Sequence, residues 1–144
     1  MKRFSVGFLC IVILFACSSK TEIKNAVIAY NRQLTEALST GNAARLQYFA
    51  TMNQIGRVDS YILYLKGEKK LLVSDLKKLK FLKIDRQGQE AKVWTEEQWV
   101  YYYIDLKTRE RVSKDETVYY QTVYTLKFQD GHWMVDRVDI DKER

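Results

Sequence analysis

Proline is absent from all 144 residues, histidine occurs once, cysteine twice and glycine six times. Without proline there is no proline-rich linker, and neither a low-complexity segment nor an internal repeat divides the chain. A single histidine, His132, and no cysteine beyond position 17 exclude a zinc centre built from several nitrogen or sulfur ligands. Both cysteines, Cys10 and Cys17, lie near the N-terminus, so no thiol is left for catalysis in the body of the chain. Long apolar runs are also lacking. The longest, Phe4 to Ala16, falls short of the ~20 residues that a bilayer-spanning helix needs.

That run has a purpose of its own. It follows Met1-Lys2-Arg3 and ends at Leu14-Phe15-Ala16-Cys17, after which the chain turns polar at once. A basic start and a brief apolar stretch make a secretory signal, and Leu-x-Ala-Cys resembles the lipobox of bacterial lipoproteins. The resemblance implies cleavage before Cys17 and a diacylglycerol thioether on its sulfur. Residues 1–16 are therefore read as signal peptide, 17–20 as the lipidated cysteine with a very short tether, and 21–144 as one domain. Removing 1–16 takes away two basic residues and no acid, lowering the net charge from +6 to +4. Export makes nucleic acid an unsuitable partner, whereas an anionic lipid surface fits a mildly basic chain. Ser18 after the cysteine matches outer-membrane sorting, which places the protein on the periplasmic face of that membrane in a Gram-negative cell.

Ser19-Lys20-Thr21-Glu22 has the spacing of a capping box, and Ile23, Ala26, Val27, Tyr30, Leu34, Ala37 and Leu38 then recur at helical spacing. Gly41 suits the end of that helix. A short second helix is expected from Asn42 to about Phe49. A third is expected from Thr51, with Met52, Ile55, Val58, Ile62 and Leu65 as its apolar stripe and Gly67 as its end. From about Asp75 the period becomes two, giving strands that turn at Gln87-Gly88 and at Asp130-Gly131. Three helices packed on a curved four-stranded antiparallel sheet make an α+β fold.

"AKVWTEEQW" at Ala91–Trp99 and "YTLKFQDGHWMV" at Tyr124–Val135, with its Gly131-His132-Trp133 hairpin, carry a further resemblance. A tyrosine-rich strand leading to a Gly-x-Trp hairpin is similar to the cone-shaped nuclear transport factor 2-like superfamily. Within that superfamily it resembles the intermembrane-space domain of plastid division proteins and its bacterial relatives. The likeness spans about Thr21 to Ile140. It implies a cone that serves isomerases, dehydratases and non-catalytic binding modules alike, so the fold does not choose among them. Its enzymes place Asp, His or Tyr side chains inside the cone.

Strand alternation sets Glu97 on one face with Val93, Thr95, Trp99, Tyr101 and Tyr103, and Glu96 on the other with Trp94, Gln98 and Tyr102. The favoured reading pairs Glu97 with a cross-strand Lys or Arg. His132 is expected in an exposed turn. Consecutive tyrosines at 101–103 and 119–120 put phenols on both faces, and the wetter face suits a protein interface or a ligand groove. Lys66, Lys69, Lys70, Lys77, Lys78, Lys80 and Lys83 fit a solvated edge strand, with a patch facing anionic lipid as the sharper reading. The chain is accordingly read as a membrane-anchored, non-catalytic envelope lipoprotein that binds or scaffolds a protein partner or a small apolar ligand. Glu97, Trp99, Tyr101, Tyr103, Tyr120 and Tyr124 are its candidate binding residues and Cys17 its lipid attachment point. No catalytic residue, cofactor or metal is assigned. The alternative is an isomerase or dehydratase using a buried carboxylate in the cone.

Overall fold

A computed structural model describes the backbone of residues 8–144 and the side chains of residues 19–144. The signal segment 1–16 and the lipid site at Cys17 lie outside the residues whose side chains are described. Helix α1 runs Phe8–Thr40 and helix α2 runs Met52–Gly67, with a single 3-10 turn at Ala43–Leu46 between them. Strands β1 (Lys70–Gln87), β2 (Glu90–Asp105), β3 (Glu116–Gln129) and β4 (His132–Glu143) form one antiparallel meander in the order β1-β2-β3-β4. The α+β architecture and the four strands are as expected. Among the described residues two α-helices, not three, lie against the sheet.

Each difference has a local cause. The Asn42 carboxamide accepts from the Ala44 amide and so starts a helical turn. That turn ends within a few residues because Ala50 enters a parallel bridge with Val135. There Thr51 N–H donates to Val135 and Val135 N–H donates to Phe49, both at 2.9 Å, which covers the outer edge of β4. The Thr51 hydroxyl does not cap α2; it donates to Asp136 at 2.7 Å. Met52, expected on the apolar stripe, is 78% exposed, and Gln54 takes the buried position instead. The capping box at Ser19 opens no helix. Ser19 is buried inside α1, where its hydroxyl accepts from the Arg86 guanidinium, whose plane also lies over Trp133. The sheet begins five residues earlier than expected, at Lys70, immediately after Lys69 in a left-handed conformation (φ 56°).

Curvature comes from the edge strands. Leu76 and Lys78 of β1 face consecutive residues of β2, as do Phe81 and Lys83, so Lys77 and Leu82 are extra. In β4 the extra residues are Asp136 and Asp141, by the same reading of its register with β3. A bulge bends its strand and raises the local twist. Two on each edge curl the sheet around β2 and β3, which makes one face concave. Ala91, Val93, Thr95, Glu97 and Trp99 alternate on that face of β2, and Val118, Thr122, Tyr124 and Leu126 on that of β3. Ile23, Val27, Tyr30, Ala37 and Leu38 of α1, with Val58 and Ile62 of α2, close over it.

Gly41 joins the two helical segments. The Asn42 N–H reaches back to the Ala37 carbonyl at 3.0 Å, the Schellman pattern that places Gly41 in the left-handed region at φ 69°. A β-carbon there would stand 2.9 Å from Lys66 Cε and 3.0 Å from Leu71 Cδ2, whereas one on Gly88 (φ 63°) would meet nothing within 4 Å. Gly41→Ala is expected to lower unfolding free energy by about 1–3 kcal/mol, from backbone strain plus displacement of Leu71, and Gly88→Ala by about 1 kcal/mol. Urea denaturation of the two variants separates strain from crowding.

Candidate functional site

The closed face of the cone holds a cavity of about 520 Å³ between α1, α2 and the sheet. That volume lies in the range of small-molecule pockets. The Glu97 carboxylate lines it although the residue is only 5% exposed. Three neighbours donate to that carboxylate. The Thr95 hydroxyl reaches Oε2 at 2.5 Å, the Trp99 indole N–H reaches Oε1 at 2.8 Å, and the Tyr124 hydroxyl sits 3.0 and 2.9 Å from the two oxygens. All are neutral, and none of the ion pairs among the described residues includes Glu97. The expected cross-strand partner is therefore corrected. In register, Glu97 faces Leu79 on one side and Tyr120 on the other, so no cation stands opposite it.

Strand spacing explains the local arrangement. Thr95, Glu97 and Trp99 are i−2, i and i+2 on one strand face, and Tyr124 comes from the neighbouring strand on the same face. The network continues into the helices. Asn31 Nδ2 donates to the Tyr124 oxygen at 2.9 Å, and Gln54 Nε2 donates to the Tyr30 oxygen at 2.7 Å. The Tyr30 and Tyr124 rings meet edge to face at 6.3 Å. Burial raises the Tyr30 hydroxyl from 10.0 to about 12, against the lowering effect of the Gln54 hydrogen bond. Tyr124 is driven well above the usual phenol value, first by burial and then by the Glu97 charge. Both phenols stay protonated at neutral pH, as their donor and acceptor roles require.

Nearer solvent the lining is a group of tyrosines. Tyr101 and Tyr103 meet edge to face at 5.9 Å, and Tyr101 reaches Glu116 at 3.3 Å. Burial, and then the neighbouring Tyr103, bring the Tyr61 hydroxyl of α2 to about 12. Tyr120 is raised by burial and by Glu143. Arg57, exposed on α2, is the one cationic side chain among the lining residues.

The structure thus brings Glu97, Trp99, Tyr101, Tyr103, Tyr120 and Tyr124 to one cavity. Asn31, Gln54, Arg57, Tyr61 and Ser74 join them without having been singled out in the sequence, and so does Tyr30, read there only as part of an apolar stripe. A signal for two of these existed. Asn31 and Gln54 interrupt apolar helical stripes, and a polar side chain on such a stripe must find a partner inside. The aromatics of the outer face are different. Tyr102 lies beneath the Arg111 guanidinium at 4.0 Å and Trp94 beneath Lys83 at 5.1 Å, while Tyr119 is 48% exposed. That face is largely capped by the chain's own cations. His132 is partly buried outside the cavity, stacked on Tyr48 at 4.1 Å and bonded through Nε2 to the Tyr48 carbonyl at 2.7 Å. Of the lysine group, Lys70 lies over the Tyr103 ring and Lys77 pairs with Asp75 on β1, which is an edge strand as expected.

No family model matches the chain, and no curated protein matches it. Among solved structures, the crystal structure of the intermembrane-space region of chloroplast protein ARC6 aligns at a TM-score of 0.68. It is 14% identical, over 82% of this chain and 92% of that one. The shared fold is the one the plastid-division resemblance implied. An Ntf2-like protein involved in plasmid conjugation aligns at a TM-score of 0.39 and 15% identity, over 76% of this chain and 49% of that one.

Tyr124→Phe keeps the ring and deletes the bridge between Asn31 and Glu97. It is expected to cost about 1–3 kcal/mol at neutral pH, because buried polar atoms lose a partner. Tyr30 and Tyr124 ionise at higher pH folded than unfolded. The stability they confer is complete below the unfolded value of 10.0 and is lost as pH rises through the folded values. Urea midpoints should fall on going from pH 10 towards pH 12, and more shallowly in Tyr30→Phe.

Proposed function

We propose that this chain is a binding module of the cell envelope, held to its membrane by lipid on Cys17, whose cone receives a small ligand. The observation that carries the binding reading is the cavity of about 520 Å³ lined by Glu97, Trp99 and the tyrosines. A side-chain network that served only to specify the core would be packed against its neighbours, as protein interiors are. This one borders open volume. Ligand sites combine apolar walls with a few convergent polar groups. Leu34, Leu72, Val118 and Val138 supply such walls here, and Glu97, Asn31 and Gln54 the polar groups.

Anchoring is supported by the lipobox-like Leu14-Phe15-Ala16-Cys17 and by the place where the core begins. Ile23, fully buried, is six residues beyond Cys17, or about 9 Å of helix. A lipid at Cys17 would hold the cone close against the bilayer. None of the helices among the described residues is long and apolar enough to cross a membrane. A protein partner remains a second kind of occupant, reaching the cavity from its tyrosine-lined side.

The Glu97–Tyr124 pair favours one further reading. A carboxylate and a protonated phenol 2.9 Å apart beside a cavity can move a proton to and from a carbon acid. It ranks second because both Glu97 oxygens already accept from Thr95, Trp99 and Tyr124, so neither is free to meet a substrate proton.

Two measurements test the proposal. In the full chain labelled with 5-fluorotryptophan and dissolved in a maltoside detergent, neopentylbenzene should shift the Trp99 resonance and leave that of outer-face Trp94 in place. Val118→Trp on β3, or Leu72→Trp on β1, should abolish the shift. A Trp99 resonance unmoved by saturating neopentylbenzene and by saturating charged probes of the same shape would dispose of the pocket. The chain recovered from membranes should begin at Cys17 and carry diacylglycerol mass, and Cys17→Ser should retain residues 1–16; an unmodified mature start would remove the anchor.

A further inference from the structure

Three features of the cavity point to the charge of its ligand. The first is a buried carboxylate with no cationic partner among the described ion pairs. Thr95, Trp99 and Tyr124 donate to Glu97, and every one of them is neutral. An anionic ligand would meet this charge with no counter-ion between them. A purely apolar ligand would replace the polarisable contents of the cavity with hydrocarbon and raise the cost of keeping the carboxylate there. The second is the wall. Trp99, Tyr30, Tyr61, Tyr101, Tyr103 and Tyr120 all line the same volume, and ring faces carry negative potential that attracts cations. The chain already uses one of them in this way, with Lys70 Nζ 4.3 Å from the Tyr103 centroid. The third is an orphaned acceptor. Gln54 is 5% exposed and lines the cavity, yet its Oε1 has no hydrogen-bond partner, and the Ser74 hydroxyl on the facing strand has none either.

We propose that the cavity binds a small organic ammonium ion, with its alkylated head directed at Glu97 among the aromatic rings and a donor group of the ligand reaching Gln54. The proposal rests on the reading of the cavity as a ligand site and adds the class of ligand. The Glu97 lone pairs are already engaged by three donors, so the attraction is charge acting through space, not a new short hydrogen bond. That suits a quaternary or tertiary ammonium, whose alkyl groups pack on ring faces and whose charge is spread over a large radius. Arg57, exposed at the solvent side, acts against a bare cation. Its repulsion, acting from an exposed position, is screened by water and salt more than the attraction of buried Glu97 is.

The same 5-fluorotryptophan-labelled full chain tests this with three probes of one shape: benzyltrimethylammonium, the neutral neopentylbenzene and the anion benzylsulfonate. Benzyltrimethylammonium should shift the Trp99 resonance at the lowest concentration of the three. Glu97→Gln should weaken it about tenfold and leave neopentylbenzene within twofold, which also reports that the variant's cavity is intact. Arg57→Gln, away from the buried network, should strengthen the cation about twofold at low salt. Neopentylbenzene or benzylsulfonate binding best, or Glu97→Gln weakening all three alike, would overturn the charge assignment and leave the pocket standing. A Trp99 resonance indifferent to every probe would overturn the pocket and the charge assignment together.

Discussion

The fold is organised around a carboxylate that is kept from water without a positive partner. Taking an ionised glutamate out of solvent costs several kcal/mol, and the usual remedy is a lysine or arginine across the strand. Here the remedy is a set of neutral donors: Thr95, Trp99 and Tyr124 converge on Glu97, and Asn31 braces Tyr124 from the helix above. Each of those side chains must come from a fixed place. Thr95 and Trp99 flank Glu97 on β2, Tyr124 lies on β3, and Asn31 lies on α1. Helix and sheet are therefore tied together at the site itself, at a residue that would be costly to bury in any other register.

Neutral donors alone would not leave room for anything else. The volume beside Glu97 exists because β1 and β4 each carry two extra residues and bend away from the flat sheet that β2 and β3 would otherwise extend. One of those extra residues, Asp136, has a second use. Its carboxylate accepts from Thr51 and its carbonyl from Asn53 at 2.9 Å, which fixes the start of α2 over the cavity. The bulge that curves the sheet also positions the helix that closes it. Curvature and closure are in this sense one structural decision.

Much of this was readable in the chain. Alternation along 91–99 separates Glu97 from Glu96, and the structure keeps that separation, with Glu97 inside and Glu96 exposed. Asp130-Gly131 gives its hairpin with φ values of 53° and 83°, as a type I′ turn requires. The unreadable parts depend on tertiary contacts. Nothing local announces that Lys77, Leu82, Asp136 and Asp141 are extra, because register is a property of two strands. Ser19-Lys20-Thr21-Glu22 has the composition of a helix start, yet the helix runs through it. A capping box states a local preference, and here an intrahelical position for Ser19 that meets Arg86 and Trp133 prevails. Glu97 itself was legible as a residue but not as a site. Pairing it with lysine follows from the abundance of lysine on β1, but the β1 residue in register with Glu97 is Leu79.

The contrast between the two faces of the sheet bears on which one serves recognition. Outside, Tyr102 and Trp94 already have their ring faces covered by Arg111 and Lys83. A ligand or protein arriving there would first have to displace cations that the chain supplies at no translational cost. Inside, the rings around Glu97 are covered by no such cation except Lys70 on Tyr103. The interaction that covers Tyr102 and Trp94 outside is left unsatisfied at most rings within the cone, beside the buried acid that would strengthen it. Aromatic rings distributed evenly between the faces in the sequence thus acquire opposite roles once the sheet curls, and the inner face holds the unmet demand for positive charge.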